Sequence, residues 1–314
     1  MALGTRSFVA VLLLASCLTA CGGNSGSSSN NNGRNSGGSN STPHVVVVVF
    51  ENQDYADLIG NTTSLPYLNQ LANQNALATQ FHANVHPSIG NYFLLTTGRN
   101  PTGNDDAWSG TFSGSSIASI LSSAGKTWKV YAESLPSVGY IGDDRYPYIK
   151  HHNPFAYFDS VRNGSSQKNN IVPLSQFATD VASNSLPSFA LVVPNNLHNS
   201  HDCPDGSPAS NCPLADRLAA IDSFLNTNVA PVIGNSPVMS NTILAITFDE
   251  AATDSTNGGG RIPLILLGNG VKTNFQSTST YQIPSLLRFT LDRLGGTTCP
   301  GESANAANMS EFLK

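Results

Sequence analysis

Four short polar clusters carry residue types suited to chemistry at a phosphate or a cation. Glu51-Asn52 follow directly on the β-branched run 45–50, and Asp249-Glu250 follow the apolar run 242–247. Pro194-Asn195-Asn196, then His198, His201 and Asp202, follow the run 189–193. Carboxylates and an amide are hard-oxygen donors, suited to one Ca²⁺, Mg²⁺ or Mn²⁺ ion more than to a thiolate-seeking metal. Taken singly, each cluster is better explained as a helix cap or solvated turn, which Asp and Asn favour. Their recurrence after successive apolar runs, in a chain with only 11% charged residues, favours a shared site. The fourth cluster is His86-Pro87-Ser88-Ile89-Gly90-Asn91-Tyr92, ahead of the apolar Phe93-Leu94-Leu95. A helix starting there places the Ser88 hydroxyl at its N-terminus, where free N–H groups and the helix dipole favour an anion. Alone, that serine reads as an N-cap. Beside a cation it reads as a nucleophile, because the cation lowers the hydroxyl's pKa.

Such residues need a scaffold that brings distant segments to one edge. The pattern alternates short apolar runs with helical stretches: strands at 45–50, Trp128–Ala132, Phe189–Val193, 242–247 and 262–267, and helices at 65–78, 115–124, 214–225 and 284–294. Strands alternating with helices predict an α/β fold with a mostly parallel central sheet, flanked by helices. In such sheets ligands bind outside the carboxyl ends of the strands, where the clusters fall.

The chain has 314 residues, 39% of them hydrophobic, and a formal charge of −5. Charged residues are fewer than the roughly 25% of ordinary soluble domains, with Asn, Ser, Thr and Gly in their place. This composition excludes a highly charged disordered chain, and the charge leaves no basic footprint for nucleic acid. Residues 1–21 carry Arg6, a short apolar stretch and small residues ending at Leu18-Thr19-Ala20-Cys21. They predict an export signal, too short to span a membrane. Residues 22–42 are nearly all Gly, Ser and Asn, with nothing to bury against their ordering entropy. As a flexible coil they would reach about 25 Å. Residues 43–314 are expected to form a single domain, since no internal repeat or second linker divides them. Cys203 and Cys212 flank the turn-rich PDGSPASN and are candidates for a small disulfide loop in an oxidising compartment.

The Leu-x-Ala-Cys ending resembles a bacterial lipobox, which implies lipid on Cys21, anchorage through that lipid only, and exposure at the outer membrane, periplasm or cell surface. The body resembles the bacterial phosphoesterase family that groups secreted acid phosphatases with phosphatidylcholine-type phospholipases C. The segments that carry the resemblance are VVVVVFENQDY, NALATQFHANVHPSIGNYFLLTTG, KHHNPFAYFDSV, VVPNNLHNSHD and TILAITFDE, in that order. It implies an alkaline-phosphatase-like three-layer sandwich, Ser88 as nucleophile through a phosphoserine, and Asn91 as a donor to a phosphoryl oxygen. Glu51, Asn52, Asp249 and Glu250 would hold the metal, and His152, His201 and Asp202 would contact phosphate or protonate the leaving group. Lys150 would either add positive charge toward a phosphate or stand as a solvated surface lysine. His44, His82 and His86 are expected to be structural.

The chain departs from the family pattern at several places. Phe248 stands for Trp, Gly90 for Pro, Asn199-Ser200 for Asp-Met and Ile283 for a His, and Gly258-Gly259-Gly260 lead to Arg261 without a histidine. These departures favour one metal over two. The expected activity is that of a metal-dependent phosphomonoesterase, in its compactness unlike phospholipase members. The alternatives are a phospholipase C-type phosphodiesterase acting at a phospholipid headgroup and a non-catalytic, lipid-anchored surface binding protein.

Overall fold

The structure is a computed structural model that describes Met1 and residues 43–314, except Ser165 and Thr297. The predicted export signal, Cys21 and the 22–42 tether lie outside the described residues. Eight strands form one sheet in the order β4-β3-β5-β1-β6-β7-β2-β8. They are β1 (His44–Phe50), β2 (Ala76–His82), β3 (Trp128–Ala132), β4 (Ile171–Pro173), β5 (Phe189–Val193), β6 (Thr242–Phe248), β7 (Arg261–Gly268) and β8 (Phe275–Gln282). The longer helices are α1 (Pro66–Gln74), α2 (Ser88–Thr97), α3 (Ile117–Ser123), α4 (Ser175–Ala182), α5 (Leu214–Phe224) and α6 (Ile283–Arg293).

The β-branched run of β1 takes the middle of the sheet, where every residue from Val45 to Phe50 is buried. A strand covered on both faces needs such an unbroken apolar run. β1 lies parallel to β5 on one side and to β6 on the other, with Phe50 opposite Phe248. That register delivers Glu51 and Asp249 side by side off the sheet, and Asp249 N–H donates to Phe50 O at 2.9 Å. β7 is the antiparallel member, paired with both β6 and β2, while β8 lies parallel to β2.

β4 and α4 lie in stretches where no element is predicted, and two further stretches differ from expectation. The helix predicted over 65–78 ends at Gln74, and Asn75 turns the chain into β2. Ala76 and Ala78 continue the helical spacing of Leu68 and Leu71, but the same stretch alternates well enough to fill the gap between β7 and β8. β8 reads FQSTSTYQ, with only Ser277 and Tyr281 buried, so it carries no apolar run that betrays an edge strand.

All ten residues of α2 are buried, as expected of a helix apolar on most sides. Phe93 of α2 packs edge-on against Trp108, Phe112, Tyr157 and Phe158. The helix ends at Gly98, whose φ of 63° is left-handed and where a Cβ would lie 2.2 Å from Pro300 O. Glu302 N–H donates to Gly98 O at 2.7 Å, so the C-terminal segment pins the end of the helix that begins at Ser88. Cys203 and Cys212 form a disulfide, as their spacing suggested.

Candidate active site

Glu51, at the end of the central strand, has no exposed surface and is the hub of the polar cluster. Ser88 Oγ donates to Glu51 Oε2 at 3.0 Å and lies 3.5 Å from Glu250 Oε1. Tyr92, one turn along α2 and so on the same face as Ser88, donates its hydroxyl to Glu51 Oε1 at 2.6 Å. Asn52 donates Nδ2 to Glu51 Oε2 at 3.0 Å. Its φ of 47° is left-handed, a conformation Asn tolerates better than most residues, and it turns the Asn52 N–H onto Asp249 Oδ1 at 3.0 Å. Asp249 Oδ1 also accepts Glu250 N–H at 2.7 Å, while Asp249 Oδ2 is buried with no hydrogen-bond partner. Thus Ser88, Glu51, Asn52, Asp249 and Glu250, separated in sequence by up to two hundred positions, meet at one sheet edge.

Burial, then the charges of Asp249 and Glu250, push the Glu51 carboxyl well above the usual range, against hydrogen bonds from Tyr92 and Ser88. Burial likewise raises Asp249 to about 6, and burial with the Asp249 and Asp106 charges raises Glu250 to about 9. Beside the charged Asp249, Glu51 and Glu250 hold protons near neutrality until something positive replaces them. This fixes the sign of a pH effect. Above neutrality the folded, cation-free protein keeps protons that unfolded carboxylates have lost, so stability falls as pH rises from 7 to 9. Below pH 7 the trend is mixed, because burial holds His82, His151 and His152 below their ordinary range and acts in the opposite direction. In a chelating buffer the melting temperature is therefore expected to fall between pH 7 and pH 9, and a divalent cation is expected to flatten that slope. A melting temperature that stays level in chelator would contradict this reading.

Among the described residues, no group of three or more His, Cys, Asp or Glu side chains is drawn together closely enough to hold a metal ion as it stands. The donor set nevertheless suits a hard divalent cation. It offers Glu51, Asn52, Asp249 and Glu250 oxygens, one of them the buried, unbonded Asp249 Oδ2.

The other predicted residues take varied places. His152 is buried and stacked on Tyr92, with ring centroids 5.4 Å apart. Its Nε2 is 3.3 Å from Glu51 Oε1 but lacks a hydrogen bond's alignment. Burial, then the neighbouring His151 and His201, keep it neutral, so it lines the floor of the cluster. His201 is half-exposed at the rim, with Nδ1 2.8 Å from Asp202 Oδ1. Asn91 differs from expectation. Its Nδ2 donates to Val85 O at 2.7 Å and its Oδ1 accepts Asn84 and Val85 N–H, so its amide ties down the loop before α2. Lys150 Nζ lies 3.4 Å from Asp143 Oδ1 and 4.8 Å from the Tyr157 ring centroid.

His86, expected to be structural, instead has Nδ1 2.9 Å from Glu250 Oε2 and Nε2 3.1 Å from Asp254 O. Tyr92, Asp106 and His151 were not singled out from sequence. Only Tyr92 left a signal there, its spacing of four from Ser88.

A family model described as the Phosphoesterase family matches residues 61–295. A phosphatidylinositol-3-phosphatase of Mycobacterium tuberculosis is 32% identical over 269 residues, covering 84% of this chain and 81% of that protein. An acid phosphatase of Aspergillus fumigatus is 29% identical over 239 residues, 74% of this chain and 49% of that protein. The chain spans about half the length of the first fungal acid phosphatases it matches. A protein of the alkaline phosphatase superfamily from Vibrio parahaemolyticus superposes with a TM-score of 0.57 at 15% identity, over 86% of this chain and 72% of that one. That likeness is one of fold, a sheet sandwiched between helices.

Proposed function

The chain belongs to the phosphoesterase family, and from that membership and the geometry around Ser88 we propose that it hydrolyses phosphate monoesters through a covalent phosphoserine. The observation that carries this reading is the Ser88 hydroxyl at the N-terminus of α2, donating to a buried carboxylate at 3.0 Å. Ser88 Oγ attacks phosphorus, the new Oγ–P bond forms, and the ester P–O bond breaks on the opposite side. The Ser88 proton passes to Glu51 Oε2, which accepts it once the carboxyl proton that burial favours has been displaced. Glu51 is held by Tyr92 and Asn52, so the acceptor does not have to reorganise during the step. The leaving oxygen needs a proton, and His201 at the rim supplies it, with Asp202 holding Nδ1 and leaving Nε2 to face the substrate. Water then attacks phosphorus and gives a proton to the now neutral His201, the Oγ–P bond breaks, Glu51 returns its proton to Ser88 Oγ, and phosphate leaves.

A divalent cation held by Glu51, Asn52, Asp249 and Glu250 would lower the pKa of the serine hydroxyl and neutralise charge on the phosphoryl oxygens. Its presence would also answer the mutual repulsion that raises those carboxyls. The histidine missing at Ile283 and before Arg261 supports one cation.

Acid phosphatases and a phosphatidylinositol-3-phosphatase among the relatives support a monoester substrate. Release of p-nitrophenol from p-nitrophenyl phosphate is expected to exceed release of phosphocholine from phosphatidylcholine vesicles at matched concentration. Faster turnover of the phospholipid would replace the monoesterase reading with the phosphodiesterase one.

A further inference from the structure

A further acidic side chain reaches the start of the nucleophile's helix from outside it and has no place in the steps above. Asp106 Oδ1 accepts the N–H of Ile89, the residue after Ser88, at 2.9 Å. Asp106 comes from the loop after α2, not from the helix it caps. That loop is fastened: Trp108 N–H donates to Asp105 O at 2.9 Å, and the Trp108 ring stacks on Tyr157 and meets Phe93 of α2 edge-on. Asp106 Oδ2 faces His151 Nε2 at 3.9 Å, its side chain is about one-third exposed, and its charge reaches Glu250.

An N–H at a helix start is where a phosphoryl oxygen binds, and a carboxylate is the same kind of acceptor. Pro87 offers no N–H at this end, so Ile89 N–H is one of few donors there, and Asp106 holds it. We propose that Asp106 is a specificity-determining residue, a fixed negative charge beside Ser88 that disfavours doubly charged phosphoryl groups relative to singly charged ones. This rests on the phosphoester reading and adds to it which charge state of substrate the site admits. The monoanion of a monoester meets less repulsion than its dianion. Each added unit of negative charge a few ångströms from Asp106 is disfavoured by about tenfold, between the limits of bulk water and a protein surface.

The test compares two anions by isothermal titration calorimetry near pH 8, in one divalent-cation buffer. Inorganic phosphate is then largely a dianion and dimethyl phosphate a monoanion. Asp106→Asn keeps an oxygen for the Ile89 N–H and removes the charge. Its ratio of phosphate to dimethyl phosphate affinity is expected to rise about tenfold over wild type. Asp105→Asn, one residue away with its carboxylate on Ala107 N–H, is expected to leave the ratio unchanged. Asp106→Ser serves as a second variant if the amide disturbs the loop, with folding checked by the melting temperature. An unchanged ratio in folded Asp106 variants, or equal weakening of both anions, overturns the role of Asp106 alone. A wild-type protein that binds neither anion overturns the phosphoester reading, and the role of Asp106 with it.

Discussion

Ser88→Ala is expected to reduce turnover of p-nitrophenyl phosphate by about a thousandfold or more, with the fold intact. Losing the nucleophile of a covalent mechanism costs several orders of magnitude, since the remaining groups act only through it. The structural cost is small by comparison. Ser88 is buried, and its hydroxyl gives one hydrogen bond to Glu51, a contact worth about 1 kcal/mol net. Tyr92 and Asn52 still hold the Glu51 carboxylate in the variant. The readout is therefore kcat at saturating substrate, with the melting temperature as control. Turnover near the wild-type rate in a folded Ser88→Ala protein would remove Ser88 from the chemistry.

Stripping divalent cations is expected to produce the second large effect, a loss of about a hundredfold or more that returns when Mg²⁺, Mn²⁺ or Ca²⁺ is added back. Without a cation Glu51 and Glu250 retain protons, and Glu250 at about 9 has no charge to offer near neutrality. Charge stabilisation at a transferring phosphoryl group typically contributes several kcal/mol, which is the scale of the expected loss. Asp249→Asn separates this from a general weakening of the fold. The amide oxygen can still accept Asn52 and Glu250 N–H, but the buried Oδ2 becomes an amide nitrogen and a unit of negative charge is gone. Activity in this variant is expected to stay low at any cation concentration. Full activity in chelator would exclude the cation, and no hydrolysis under any cation would favour the non-catalytic surface binding protein.

Much of this site was readable because it lies where strands end. The β-branched run of β1 and the apolar run of β6 are unambiguous, and in a parallel sheet the next residues must emerge at one edge. Ser88 was readable for a similar reason, since an apolar stretch after it had to be a buried helix. The roles of Asn91 and His152 were not. Both depend on which loop each side chain meets, Val85 for one and the floor beneath Glu51 for the other, and spacing along the chain carries no record of that. His86 and Asp106 were hidden for the same reason, because Glu250 and Ile89 reach them only through the tertiary fold. The misplaced end of α1 has a different origin. Ala76 and Ala78 suit either period, and the open slot beside β7 decided between them.

The covalent intermediate is the most direct test of the whole account. Wild-type protein in a divalent-cation buffer, mixed with p-nitrophenyl phosphate, quenched in acid during turnover and digested, should yield a phosphorylated peptide. Tandem mass spectrometry is expected to place the phosphate on Ser88, and on no residue of the Ser88→Ala protein. Sustained turnover with Ser88 unmodified, or with phosphate on another side chain, would contradict the account.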